Sequence, residues 1–307
     1  MTLTELRYVV ALARERHFGR AAATCYVSQP TLSVAVKKLE DELGTALFER
    51  GGAEVTPTLL GEQVVVYAQA ILEQVEGIRN LARGHADPLQ GVLRLGAIYT
   101  VGPYLLPQLI PNLHETAPQM PLMIEEGFTA DLRRRLKQND LDAIIVSLPF
   151  EEPGVTVRPL YEEPFVALLP SAHPLSGQPA LPLESLAGED LLLLGPGHCL
   201  RDQILQACPA CAAAEGSAQG ADAPLAGSSL ETLRHMVASG LGVTILPCTA
   251  AGAERYADRL IAVRRLAEPV PHRRVALAWR NGFPRPEAIE VLARAILDAP
   301  MSCVEPC

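Results

Sequence analysis

Six apolar residues, Val64, Ala68, Ile71, Val75, Ile78 and Ala82, recur at spacings of 4, 3, 4, 3 and 4. That rhythm places them along one stripe of a helix, and a stripe so regular suits a partner helix better than a globular core. The spacing predicts a helix from Thr58 to about Arg83. Asp87-Pro88-Leu89-Gln90-Gly91 then breaks it and predicts a hinge. The chain is thereby divided into a short segment before the helix and more than 200 residues after it.

The first segment reads as three helices. Leu3, Leu6, Val9, Val10 and Ala13 give the first a buried face, and Gly19-Arg20-Ala21-Ala22-Ala23 begins a short, closely packed second. Ser28 is placed to cap a third, with Pro30 tolerated in its first turn and Gly44 ending it. Its predicted inner stripe is Leu32, Ala35, Val36, Leu39 and Leu43, with Ser33, Lys37 and Lys38 outside. Leu47 to Arg50, a Gly51-Gly52 turn and Val55-Thr56-Pro57 predict a small hairpin or wing.

Beyond the hinge, strand-like runs alternate with helix-like ones. Val92–Ile98, Met123-Ile124, Ala143–Ser147, Phe165–Leu169, Leu191–Leu194, Val243–Leu246 and Arg274–Trp279 are candidate strands. Leu132–Gln138 and Glu287–Leu297 are candidate helices. This is an α/β pattern, long enough for two lobes. Ser228 and Glu231 suggest a capping box for a helix ending at Gly240. Pro209 to Gly227, rich in Ala and Gly, is expected to be a mobile loop.

Charge limits function only when read by region. The chain of 307 residues carries a net charge of −9, which argues against a wholly nucleic-acid-binding surface. Residues 1–50 nevertheless hold seven Lys/Arg against six Asp/Glu, so the other 257 carry −10. A small basic surface can meet phosphates while the bulk stays acidic. Arg14 and Arg16 interrupt the first apolar run, and Gly and Pro break the two long uncharged stretches. Neither a signal peptide nor a membrane span is expected, so a cytoplasmic location is.

Seven cysteines in such a compartment are expected as thiols or redox centres rather than standing disulfides. Cys199 and Cys208 carry the sharpest constraint. If the residues between them are helical, nine positions advance the chain about 13 Å, whereas a disulfide needs Cα atoms within about 7 Å. The pair could bond only if the helix came apart. Cys199 has His198 beside it, Arg201 two positions on and a predicted helix start after Gly195-Pro196-Gly197; Asp202 opposes as a charge but could orient Arg201. These features predict a lowered thiol pKa. Cys208-Pro209-Ala210-Cys211 is a close pair that could be redox-active, or supply zinc ligands with His198 and Cys199, although adjacent ligands chelate awkwardly. No metal is assigned. Cys25, Cys248, Cys303 and Cys307 read as bystanders, the last two in a frayed tail. The histidines other than His198 do not cluster. No nucleotide-binding loop or nucleophile elbow is present, so no cofactor is expected and the chain is not read as an enzyme.

The run Ala21-Ala22-Ala23 through Ser28-Gln29-Pro30-Thr31-Leu32-Ser33 to Lys38-Leu39-Glu40 resembles the winged helix-turn-helix of LysR-type transcriptional regulators. Gly240 to Pro247 resembles that family's regulatory domain. Gly197 to Gln203 with Cys208, and Thr100 to Pro107, resemble its hydrogen-peroxide-sensing members. The resemblance implies a multidomain α+β chain: a winged helix-turn-helix over 1–58, a dimerisation helix over 59–87, a hinge at 88–91 and a two-lobed domain over 92–300. That domain is expected to be like periplasmic solute-binding proteins, with lobe I about 92–162 and 268–300, lobe II about 163–267, and a tail over 301–307. It further implies Gln29, Pro30 and Ser33 near base edges, and Arg20, Lys37, Lys38 and Arg50 on phosphates.

By the same resemblance the Cys199 thiolate attacks peroxide, Thr100 and Thr129 hold the peroxide in a pocket completed by His198, Arg201 and Asp202, and Cys208 resolves the sulfenic acid as a disulfide. Cys211 stays open as a competitor for that last role. The partners implied are promoter double-stranded DNA, hydrogen peroxide, RNA polymerase, further copies forming a homodimer and homotetramer, and a thiol reductant such as glutaredoxin or thioredoxin, with no membrane. The alternatives are a relative sensing a small organic effector between the lobes, with structural cysteines, and a solute-binding or thiol-peroxidase protein.

Overall fold

The computed structural model describes residues 1–49, 54–82, 87–217, 226–251, 260–301 and 303–307. Helix α1 (Leu3–Glu15) starts at a capping box in which Thr2 and Glu5 satisfy each other's free amides. Helix α2 (Phe18–Thr24) is capped by the His17 ring, whose Nδ1 accepts from Gly19 N at 3.0 Å. Helix α3 (Gln29–Leu43) is capped by Ser28, carries Pro30 in its first turn and stops at Gly44, where φ is +70°. Leu6, Val9, Leu12, Ala21, Leu32, Val36 and Leu39 close the core among the three.

The expected inner stripe of α3 is wrong at its end. Leu43 is exposed, and the buried residue of the last turn is Glu40. Its carboxylate accepts from Leu47 N at 2.8 Å and Phe48 N at 3.2 Å, fixing the entry to the wing. Strands β1 (Phe48–Glu49) and β2 (Thr56–Pro57) pair antiparallel as that wing; Arg50 and the Gly51-Gly52 turn lie outside the described residues. Helix α4 (Leu59–Ala82) packs Ala68 into the N-terminal core and leaves Val66, Tyr67, Ile71 and Ile78 exposed on the single chain. The expected helix end at Arg83, like His85, is outside the described residues.

The remainder is α/β. Chain order runs β3 (Leu93–Ile98), α5 (Gly102–Thr116), β4 (Leu122–Gly127), α6 (Thr129–Lys137), β5 (Ala143–Ser147) and β6 (Val155–Pro170). Then come β7 (Ala180–Leu181), β8 (Leu191–Leu194), α7 (Cys199–Ala207), α8 (Pro209–Ser217), β9 (Ala226–Gly227), α9 (Leu230–Ala238) and β10 (Val243–Pro247). The chain ends with β11 (Ile261–Leu266), β12 (His272–Arg280), α10 (Pro286–Leu297) and β13 (Glu305–Pro306). Parallel β4-β3-β5 join antiparallel β12, which pairs with β6; β6 then pairs with β10 and β11. One core gathers Leu95, Leu109, Ile145, Leu277 and Ile289, and a second gathers Phe165, Leu168, Leu192, Ile204 and Ile245. Strand β6 runs from the first to the second.

Three other expectations change. Residues 209–217 of the expected loop form a helix rather than a mobile segment; 218–225 lie outside the described residues. The cap of α9 is Ser229, which accepts from Thr232 N, while Glu231 accepts from the Tyr104 hydroxyl instead of closing a box on Ser228. The tail is not frayed: β13 pairs with β6, and Cys303 is bonded to Cys248, so neither of those cysteines is a bystander.

Candidate functional site

Cys199 is the first residue of α7 and lies where the two cores meet. Its side chain packs on the first core, whereas Leu200 and Ile204, later in the same helix, are buried in the second. Gly197 makes the approach possible. Its φ is +95°, and a Cβ there would stand 3.3 Å from the Phe128 ring. Phe128, His198 and Tyr99 form a cluster, with ring centroids 4.8 Å apart for Phe128–His198 and 5.3 Å for Tyr99–Phe128. Together with Thr100, Thr129 and Cys199 they line a cavity of about 10 Å³. That is room for roughly one water-sized molecule.

The electrostatics come from a buried pair that sequence reasoning did not find. Arg273 on β12 and Glu163 on β6 are ion-paired at 2.7 Å, both side chains wholly inaccessible. Arg273 Nε also donates to Glu163 at 2.8 Å, and its other nitrogens donate to Thr100 Oγ1 and Thr100 O at 2.9 Å each. Thr249 N donates to the other Glu163 oxygen at 3.1 Å. Burial raises the Cys199 pKa; the Arg273 charge, a hydrogen bond with Thr129 and the amides of Cys199 and Leu200 oppose it without cancelling it. The expected lowering is therefore wrong for the resting site, where the sulfur is held as a thiol. Burial also lowers the His198 pKa and keeps that ring neutral, so it supplies no charge. Glu163 and Arg273 stand 110 positions apart, and no local pattern links them; only the pairing of β6 with β12 does.

Thr100, Thr129, His198 and Cys199 are thus brought together as expected. Arg201 and Asp202 are not part of the pocket. Arg201 donates to Leu194 O at 3.0 Å, and Asp202 is exposed. Cys208 ends α7, buried, and is bonded to Cys211, with Cα atoms 5.2 Å apart. The expected Cys208 thiol is therefore absent from this state, and Cys199 remains free. Among the described residues no group of histidine, cysteine and carboxylate side chains could hold a metal ion.

In the N-terminal domain Gln29, Pro30, Val34 and Lys37 are exposed on α3, with Ser33 partly so. Lys38 is less available than expected, because its Nζ donates to the buried Glu5 carboxylate at 3.1 Å. Arg20 donates to Glu15 O at 2.7 Å.

These two halves define a class. Residues 3–62 match the bacterial regulatory helix-turn-helix protein family, lysR type, and residues 86–300 match the LysR substrate binding domain. The chain belongs to the LysR family of transcriptional regulators. Within it, the chain is 41% identical over 296 residues to the DNA-binding transcriptional dual regulator OxyR of Escherichia coli, covering 96% of this chain and 95% of that one. A full-length C199D OxyR from Pseudomonas aeruginosa superposes with a TM-score of 0.81 at 54% identity, covering 98% and 96% of the two chains. A mutant OxyR from Corynebacterium glutamicum with hydrogen peroxide bound superposes at 0.62 and 34% identity, covering 97% and 94%.

Proposed function

We propose that this protein is a hydrogen-peroxide-responsive transcriptional regulator that reads promoter DNA with α3 and senses through Cys199. The observation that carries the reading is a free thiol facing a water-sized cavity, with two threonines and a buried arginine around it, in a chain that begins with a helix-turn-helix. Its relatives are named hydrogen peroxide-inducible genes activators.

The site chemistry follows from the groups present. Peroxide enters between Thr100 and Thr129, and a cavity of this size excludes bulky organic peroxides. The Cys199 proton is relayed through the Thr129 hydroxyl to the departing peroxide oxygen as the sulfur attacks, and Arg273 stabilises the thiolate character that develops. The sulfur attacks one oxygen, the O–O bond breaks, and the departing hydroxide is protonated to water, leaving Cys199 as a sulfenic acid. A thiol at Cys208 then attacks that sulfur, water leaves, and a Cys199–Cys208 disulfide forms. This requires Cys208 reduced and α7 unwound. Losing α7 removes Leu200 and Ile204 from the second core and shifts how subunits pack.

In this reading α4 joins copies into dimers and tetramers, Gln29, Pro30 and Ser33 approach base edges, and Arg20, Lys37, Lys38 and Arg50 meet phosphates. Contact with RNA polymerase, reduction by glutaredoxin or thioredoxin, a cytoplasmic location and the absence of turnover beyond this thiol reaction belong to the same proposal. Among the described residues no helix is long and apolar enough to cross a membrane. The test is Cys199→Ser: promoter binding persists and the peroxide-dependent change in footprint disappears. An unchanged response rejects the reading.

A second reading has one observation in its favour. A groove of about 580 Å³, lined by Leu148, Phe165, Gln203, Glu268 and Arg273 among others, could hold an organic effector. It would predict a footprint that changes with a small molecule and ignores Cys199→Ser.

A further inference from the structure

Three sulfurs lie within thirteen residues, at the start of α7, at its end and in the first turn of α8. The structure holds the last two bonded while α7 is fully helical. A Cys199–Cys208 bond, by contrast, requires α7 to come apart, because nine helical positions advance the backbone about 13 Å and a disulfide needs Cα atoms within about 7 Å. The two disulfides share Cys208 and so exclude each other. They also demand opposite states of the same helix.

We propose that Cys211 is a second resolving residue that ends the peroxide signal from inside the chain; this rests on the reading that Cys199 and Cys208 form the signalling disulfide. The Cys211 thiolate attacks Cys208 Sγ, the Cys208–Cys211 bond forms, the Cys199–Cys208 bond breaks, and Cys199 departs as a thiolate. One disulfide replaces another, so no external oxidant or reductant is consumed.

The fold supplies the direction. After exchange α7 can rewind, returning Leu200 and Ile204 to the second core. Gln203 regains its bonds to Ser147 Oγ at 2.9 Å and Leu148 O at 3.0 Å. Cys211 N donates to Cys208 Sγ at 3.2 Å at the start of α8. The released Cys199 takes up a proton and returns to its pocket beside Thr129 and Arg273, where burial holds it as a thiol. The product is a spent sensor. Cys199 is reduced but has no resolving thiol, and both bonded sulfurs belong to residues no more than 2% exposed, screened from external thiols until α7 or α8 opens locally.

The test uses the full chain, reduced with dithiothreitol, desalted without oxygen, given one equivalent of hydrogen peroxide, quenched with catalase and alkylated at intervals. Trypsin cuts after Arg201 and next after Arg234. A Cys199–Cys208 bond therefore links two peptides, while a Cys208–Cys211 bond lies within one. The expected result in the natural chain is a linked pair that rises and then falls, as the internal bond and an alkylatable Cys199 appear together. In Cys211→Ser the linked pair should persist at least tenfold longer. Equal lifetimes in the two chains overturn the relay alone. An internal bond that forms as fast in Cys199→Ser also overturns it, since it shows direct oxidation of Cys208 and Cys211. Peroxide that leaves Cys199 reduced and unlinked throughout overturns both the relay and the sensing reading beneath it. The natural chain's own time course supplies a readout that does not depend on how the variant folds.

Discussion

Gln203→Ala isolates the step at which α7 opens. Gln203 is partly buried on the helix face turned to the first core, and its Nε2 donates to Ser147 Oγ and Leu148 O. Net contributions of such bonds run about 0.5–1.5 kcal/mol each, so removing both should lower the cost of unwinding by about 2 kcal/mol. If opening precedes disulfide closure as a rapid equilibrium, the rate of closure rises about 30-fold, a tenfold change corresponding to about 1.4 kcal/mol. The peroxide step should not change, because Gln203 lies outside the pocket lining. Rapid quench of the reduced chain after a peroxide pulse separates the two: dimedone captures the sulfenic acid, and the linked tryptic pair reports closure. An unchanged or slower closure rate, with unchanged sulfenic acid formation, would refute the idea that α7 opening controls the second step.

Other expectations follow from the same geometry. Arg273→Met leaves the Glu163 charge buried and unpaired, so stability measured by urea denaturation should fall by about 3–5 kcal/mol; a loss under 1 kcal/mol would show that water reaches the pair. Alkylation of Cys199 by iodoacetamide should still be accelerating above the ordinary thiol range, because burial raises its pKa; a plateau near neutral pH would contradict this. His198 has its folded pKa below the unfolded value near 6.5. Its contribution to stability is therefore complete above that pH and is lost as acid carries the ring through the folded pKa. Hydrogen exchange at residues 197–200 should rise over that acid window, and His198→Phe should abolish the rise. Lys37→Ala should weaken binding to all DNA sequences alike and reduce the salt slope by about 0.9, with a smaller effect for Lys38→Ala because Glu5 already holds that ammonium.

Much of the helical part was legible because its signals are local. Ser28, Pro30 and Gly44 mark α3 within a few residues of the observed ends. Glu40 escaped the same logic: a charged residue on an inner stripe is invisible until the wing amides that it satisfies are in place. The sulfur site divides in the same way. Cys199 announced itself through glycine and a helix start, whereas Arg273 reaches it only through the pairing of two distant strands. The expected pKa lowering failed because neighbours in sequence were counted as neighbours in space. His198 is beside the sulfur but neutral, and Arg201 faces Leu194 O. The composition of residues 209–217 suggests a loop, but alanine is a strong helix former and Cys208 anchors the first turn through Cys211.

Strand β6 spans sixteen residues, about 50 Å of extended chain, and is bonded along much of that length to β12, β10 and β11. That one strand ties the two cores together, exchanging β12 for β10 and β11 as its partners between Pro164 and Phe165. Helix α7 is the short element held at its start by one core and along its length by the other. In the proposed reading α7 is a fusible link between two cores, and the information transmitted is whether that link is intact.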